Sequence, residues 1–209
     1  MAFGFLTNKE LKKELPILIP GATFVESQAG GASYDLTLGS EVYISEKEYP
    51  EILTQDQPYV SLPRGQFALL MTDEQVEMPS NYLGMISIRF SIKKRGLINV
   101  SGFHVDPGFK GRIIFSVFNA GPSDVVLKYK DPVFMIFFFR LEHDAKPYPD
   151  TGYKDLPVDL VTSLKGTSTS LSGVDERVSK LETTYRIFWG ILIALIGALI
   201  ALFVRGVIS

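Results

Sequence analysis

The sequence predicts a mainly β head, of sandwich or barrel type, followed by a helix that enters a membrane. Three observations carry that prediction. Short β-branched and aromatic runs at 42–44, 67–71, 85–88, 112–118 and 133–139 alternate with Gly, Pro, Asp and Ser. The stretch Gly102-Phe103-His104-Val105-Asp106-Pro107-Gly108-Phe109-Lys110-Gly111 packs an acid, a Pro-Gly turn, an aromatic and a second glycine into one hairpin. Residues 187–204 are apolar and carry no charge.

One helix opens the head. Thr7 with Glu10 three residues on makes a capping box, and Leu11 and Leu15 sit one turn apart on one face. In the hairpin, Pro107 fixes φ and Gly108 accepts positive φ, so Asp106 is held at a strand end with its carboxylate aimed in one direction. An ordinary solvated turn acid has the same signature. His104 and Asp106 stand at i and i+2, the same face of a strand, which leaves a His-Asp pair open to them; a surface histidine is the plainer reading.

Composition excludes several classes. A net charge of −2 gives no electrostatic case for nucleic-acid binding, and Lys93-Lys94-Arg95 is one short basic run. With no Cys and only His104 and His143 there is no His/Cys zinc site, so zinc-dependent deamination is excluded. There is no Walker loop and no Gly-x-Ser-x-Gly elbow.

Other motifs fall into register with the hairpin: Gly31-Ala32-Ser33-Tyr34-Asp35-Leu36-Thr37-Leu38-Gly39, the 62–72 run, Val76-Glu77-Met78-Pro79, Ile88-Arg89-Phe90-Ser91 and Phe118-Asn119-Ala120-Gly121. In this order and spacing the chain, from about Thr7 to about Leu141, resembles the dCTP deaminase/dUTPase superfamily. The resemblance implies a compact jelly-roll-like or β-barrel head of the dUTPase type. It also implies a homotrimer that binds deoxynucleoside triphosphates (dCTP, dUTP or dTTP) between subunits with Mg²⁺.

Carried over residue by residue, Asp106 matches the acid that activates water in dUTPases. Asp35 matches the acid near metal and triphosphate, Arg89, Ser91 and Lys94 match phosphate-binding positions, and Phe109, Gly111 and Asn119 match the hairpin and the strand end after it. Several positions depart from the family pattern. The deaminase glutamate, three residues before Asn119, is Ser116, which is no general base near neutral pH without an activating partner. Phe90 stands where a hydroxyl is expected, Lys94 lacks the planar fork of arginine, and Phe109 replaces a tyrosine. The glutamine expected within 130–135 is missing, and Gly166, Thr167 and Ser168 are a weak echo of a glycine-rich C-terminal arm.

The rest of the chain has a different composition. The sequence divides into a head (1–147), a Pro then Ser/Thr/Gly-rich linker (148–170), a short coiled coil (171–186) and a transmembrane helix (187–204). The coiled-coil seam is Leu171, Val174, Val178, Leu181, Tyr185 and Phe188, spaced alternately three and four; a helix packing on its own head fits the same spacing. Eighteen apolar residues span about 27 Å, close to a bilayer's hydrocarbon thickness. Arg186 and Arg205 bracket the run, with Tyr185, Phe188 and Trp189 at its edge. Inside it Gly190, Ala194, Gly197 and Ala201 form a small-residue stripe. Residues 1–13 hold no signal-peptide core, so the expectation is a single-pass, C-terminally anchored protein with its head in the cytoplasm.

Three functional readings follow. The leading one is a catalytically degenerate, membrane-anchored nucleotide sensor or regulatory module. The second is an active membrane-tethered dUTP diphosphatase or dCTP deaminase, kept open by Asp106. The third is a trimeric scaffold without ligand, which Phe90 filling the phosphate site would support.

Overall fold

The computed structural model describes residues 3–149, 152–165 and 171–208. It consists of a head and a C-terminal helix, which form separate compact units. In the head the order is β1 (Gly4–Phe5), α1 (Asn8–Leu18), β2 (Tyr34–Ile44), β3 (Glu51–Ile52), β4 (Tyr59–Leu62), β5 (Phe67–Glu77), β6 (Tyr82–Ile88) and α2 (Phe90–Lys93). Then come β7 (Leu97–Asn99), β8 (His104–Val105), β9 (Lys110–Asn119), β10 (Val125–Lys128), β11 (Pro132–Arg140) and α3 (Val158–Leu164); the second unit is α4 (Leu171–Ile208).

Each of the five runs read from sequence lies within one of the five long strands. They pair antiparallel in the order β7-β9-β5-β2-β11-β6-β8, with β1 added to β11 and β3 to β2; β4 and β10 make a separate ribbon. Inward positions alternate along β9 and β11, as a half-buried strand requires. Leu97 of β7 and Val105 of β8, at opposite ends of the path, join one apolar core, so the sheet curls around it. Phe115 and Phe134 stack at its centre, 4.0 Å between ring centroids. This is the mainly β head, a curled antiparallel sheet, that the strand runs predict.

Helix α1 lays Leu11, Leu15 and Leu18 into that core. Thr7 is its N-cap, but the Thr7 side chain makes no capping hydrogen bond, so the expected capping box is not closed. The Thr7 carbonyl oxygen accepts from the N–H groups of Glu10 and Leu11 instead.

Residues 152–165, read above as part of a linker, pack on the head. Leu156 and Val161 are buried against Tyr43, Leu69 and Met71, a second small core on the outer face of the sheet. The Leu156 N–H donates to the Glu41 carboxylate at 2.8 Å. The echo at Gly166, Thr167 and Ser168 lies outside the described residues.

Helix α4 runs unbroken from the expected coiled coil into the apolar segment. By length and composition its stretch Arg177–Ala198 is long and apolar enough to cross a membrane. Val174, Val178, Leu181, Tyr185 and Phe188 are all exposed along it.

Candidate functional site

Asp106 opens the turn read from sequence. The Phe109 N–H donates to the Asp106 carbonyl at 3.2 Å, and Gly108 has φ +85°, the geometry of a Pro-Gly type II turn. The turn is tied to the end of β5 by Gly108 N to Met78 O and Met78 N to Phe109 O, at 2.7 and 2.8 Å. Asp106 therefore stands on a fixed corner. It lines a cavity of about 170 Å³ together with His104, Phe109, Ser101, Tyr148 and Tyr153. His104 Nε2 lies 3.4 Å from Asp106 Oδ1, so the His-Asp pair left open by the spacing is formed.

The chain after β11 walls this cavity. Tyr148 N donates to Pro107 O, Gly152 N to Lys110 O and Arg112 N to Tyr153 O. The approach is close enough to demand glycine. A Cβ on Gly108 would stand 2.7 Å from Pro147 Cβ, and one on Gly111 2.5 Å from the Gly152 carbonyl carbon. Gly111 thus serves the site by admitting this segment. Tyr148 and Tyr153 escape the sequence reading, because their region reads as Pro-rich linker.

Asp35 on β2 and Arg89 at the N-cap of α2 form a second centre, with Arg89 Nη2 3.2 Å from Asp35 Oδ2. Burial raises the Asp35 carboxyl above its usual value, while the Arg89 guanidinium pulls it back down. Arg89 also lines a cavity of about 310 Å³ with Tyr59, Arg95 and Lys128. Ser91 and Lys94 are exposed on α2 and just after it. Phe90 is 76% exposed, so in the single chain it fills no phosphate site.

Two sequence-derived positions are used differently. Asn119 is fully buried and spends its amide on backbone: Nδ2 donates to Leu62 O and Ser123 O, and Oδ1 accepts from Gly121 N. It shapes the turn after β9. Ser116 lines a neighbouring cavity of about 330 Å³ whose walls include Leu69, Ile114, Leu160 and Leu164.

Among the described residues there is no cluster of three metal-ligating side chains. Asp35 alone is a donor set that fits Mg²⁺ brought in on a triphosphate, since that ion keeps water and phosphate oxygens as most of its ligands. It does not fit a free-standing metal site.

A buried acid, Glu74, escapes the sequence reading as well. It accepts two hydrogen bonds from Thr37, two residues along β2 from Asp35, and burial pushes its carboxyl up to about 7.

Comparison with known proteins places these features in a family. Residues 5–141 match the family model described as dCTP deaminase-like. The chain is 33% identical over 144 residues to the dCTP deaminase of Pyrococcus abyssi, covering 68% of this chain and 88% of that one. It is 36% identical over 144 residues to the dCTP deaminase of Thermococcus gammatolerans, covering 68% and 87%. Among solved structures, the 2'-deoxycytidine 5'-triphosphate deaminase of Agrobacterium tumefaciens superposes with a TM-score of 0.57 at 14% identity. That match covers 67% of this chain and spans 50% of the length of that one. The chain belongs to the dCTP deaminase-like family, within the dCTP deaminase/dUTPase superfamily that its motifs resemble.

Proposed function

We infer that the head binds a deoxynucleoside triphosphate (dCTP, dUTP or dTTP) with Mg²⁺, as a homotrimer held at a membrane by its C-terminal helix. It acts through occupancy of that site, as a sensor or regulatory module, and not by deaminating cytosine. One contrast carries this reading. The Asp35–Arg89 pair and the Asp106 cavity keep binding chemistry, whereas position 116 is a serine in a cavity walled by aliphatic side chains and the hydroxyls of Ser101, Tyr153 and Ser163. A guanidinium suits phosphate oxygens. The cavity lining gives that serine hydroxyls and aliphatic groups but no carboxylate or imidazole to let it move protons for attack on a cytosine ring.

The ligand class is supported by family membership and by relatives that bear the name dCTP deaminase. Arg89 and Asp106 line different cavities of the one chain, an arrangement that suits a site completed by another copy. That favours the trimer implied by the resemblance, and the exposed stripe Val174, Val178, Leu181, Tyr185 and Phe188 favours helix association. The apolar stretch of α4 favours a membrane anchor, with the head in the cytoplasm where deoxynucleotides are.

The test is chromatographic. Full-length protein in detergent, incubated with Mg²⁺ and dCTP, is expected to bind the nucleotide and to release no dUTP. Formation of dUTP contradicts the reading.

A further inference from the structure

Phe90 stands exposed where the family pattern has a hydroxyl, and the basic run Lys93-Lys94-Arg95 follows it. Phe90 lies one turn before Lys93 and Lys94, and the Lys94 N–H donates to the Phe90 carbonyl at 3.0 Å. The β4–β10 ribbon stands beside this turn. Arg95 Nη1 donates to Val126 O at 3.1 Å, and Ile92, Arg95, Tyr59, Val126 and Lys128 wall the groove that Arg89 also lines. Side chains alternate along the ribbon: Val60, Val125 and Leu127 enter the core, while Tyr59, Val126 and Lys128 face outward. Lys128 Nζ sits over the Tyr59 ring, 6.0 Å from its centroid. Among the described residues Lys93, Lys94, Arg95 and Lys128 form no ion pair; Lys93 donates to the Ser87 hydroxyl. The acids here are Asp131 in the groove wall and Asp124, which accepts from the Ser61 hydroxyl and the Arg64 N–H.

We propose that this face of the head docks on the anionic lipid headgroups of the membrane that α4 enters. Phe90, Tyr59 and Val126 are its apolar contacts, and Lys93, Lys94, Arg95 and Lys128 its charges. The proposal rests on the anchor reading above and does not use nucleotide binding. The whole chain carries a net charge of −2, so an excess of cations here is a property of the face and not of the protein. A soluble anion would answer the cations but gives an exposed phenylalanine nothing. A lipid surface answers both: apolar side chains enter the boundary between headgroups and acyl chains, and the ammonium and guanidinium groups meet lipid phosphates. A second copy packed face to face would set like charges against each other, which is costly. The anchor also keeps lipid at a high local concentration, so a contact too weak to recruit a free protein suffices. Phe90 then has a use that the phosphate-binding motif does not give it.

The experiment uses the full chain reconstituted into vesicles of phosphatidylcholine, alone or with phosphatidylserine added. The chain has no cysteine, so Ser61→Cys, on the outer row of the ribbon, gives a single position for a fluorophore. Quenching by lipids brominated on their acyl chains reads contact with the bilayer, and vesicle flotation reads anchoring. Quenching is expected with phosphatidylserine, little of it with phosphatidylcholine alone, and less as salt is raised. In the same background Arg95→Gln and Lys128→Gln should each lower the ratio of docked to free head about fivefold. Phe90→Ser should lower it about tenfold. Equal quenching in the two lipids, or quenching unchanged by these substitutions, overturns the proposal. So does a Phe90→Ser variant that alters cross-linking between chains while quenching stays, a result that assigns the face to another copy. Flotation without quenching overturns the docking face alone; failure of the protein to float with the vesicles overturns the anchor reading as well.

Discussion

Thr37 gives both its backbone N–H and its hydroxyl to a single carboxylate, that of Glu74, at 2.9 Å each. The contact sits just past the last β2–β5 pair, Leu38 opposite Thr72, and within the stretch where β5 slips against β9, between Met71 and Gln75. Glu74 thus takes over on β2 a bond that a regular ladder would supply. Thr72, two residues before it, does the same for β9 by accepting from Ile113 N at 3.0 Å. The Asp35–Arg89 pair lies two residues along β2 from this splint.

Glu74 makes stability fall with rising pH. Its carboxyl moves from about 4.5 to about 7 on folding, through burial and with Asp73 adding like charge, against the Thr37 hydrogen bonds. The folded state holds the proton more tightly, so stability is greatest below the unfolded value and is lost as pH rises through the folded one. The full span is worth roughly 3 kcal/mol. Urea unfolding at pH 5 and pH 8 should show this loss in wild type and a much smaller one in Glu74→Gln. Equal pH dependence in the two proteins refutes the assignment.

Arg140 fastens α1 to β11. Its Nε and Nη2 donate to Tyr82 Oη at 2.9 and 2.7 Å, and its guanidinium reaches Glu14 at 3.1 Å and Glu10 at 3.5 Å. Arg140 is buried, while Glu14 is partly open and Glu10 more than half exposed, so Arg140→Ala removes a buried guanidinium from carboxylates that water reaches. Losing its charge-assisted hydrogen bonds to Tyr82 and Glu14 costs about 1.5–3 kcal/mol. Thermal or urea unfolding reads it; a loss under about 1 kcal/mol would mean the cluster is solvated in solution.

Ser116→Glu should not create a deaminase. The new carboxylate would share a cavity with Leu69, Ile114, Leu160 and Leu164, where only the hydroxyls of Ser101, Tyr153 and Ser163 among the lining side chains could bond to it and no cation offsets its charge. The variant is expected to lose about 1–3 kcal/mol of stability and to leave dCTP unchanged on chromatography. Deamination by this variant would place position 116 in the reaction after all.

The anchor prediction concerns α4. Arg substitutions at Ile193 and Ile196 place two charges in the apolar stretch, each costing about 2.5–3.5 kcal/mol at the centre of a spanning helix. The double variant should move from the carbonate-resistant membrane pellet to the supernatant. Wild type found only in the supernatant removes the anchor.

The long strands are legible because their apolar alternation and Gly/Pro punctuation are local properties. So is the 106–109 turn, whose Pro-Gly pair dictates φ at both central residues. The His104–Asp106 pair is legible only as a possibility, since i, i+2 spacing gives a shared face and not a distance. Glu74 is hidden because nothing in Asp73-Glu74-Gln75 marks a bulge; its burial comes from β2 and β9, distant in sequence. α3 is hidden for a similar reason. Val158–Leu164 is one short helix among Pro, Ser and Thr, and only the apolar face offered by Tyr43, Leu69 and Met71 holds it. Asn119 reads as a ligand from its motif, yet its amide is consumed by the turn that the motif builds.

The most direct test is equilibrium binding of dUTP with Mg²⁺ to the full-length protein, wild type against Arg89→Ala. Saturable binding that weakens about tenfold or more in the variant is the predicted result, as the loss of a charge-assisted phosphate contact requires. An absence of saturable binding by wild type, or equal affinity in the two proteins, contradicts the assignment of a nucleotide site to the Asp35–Arg89 centre.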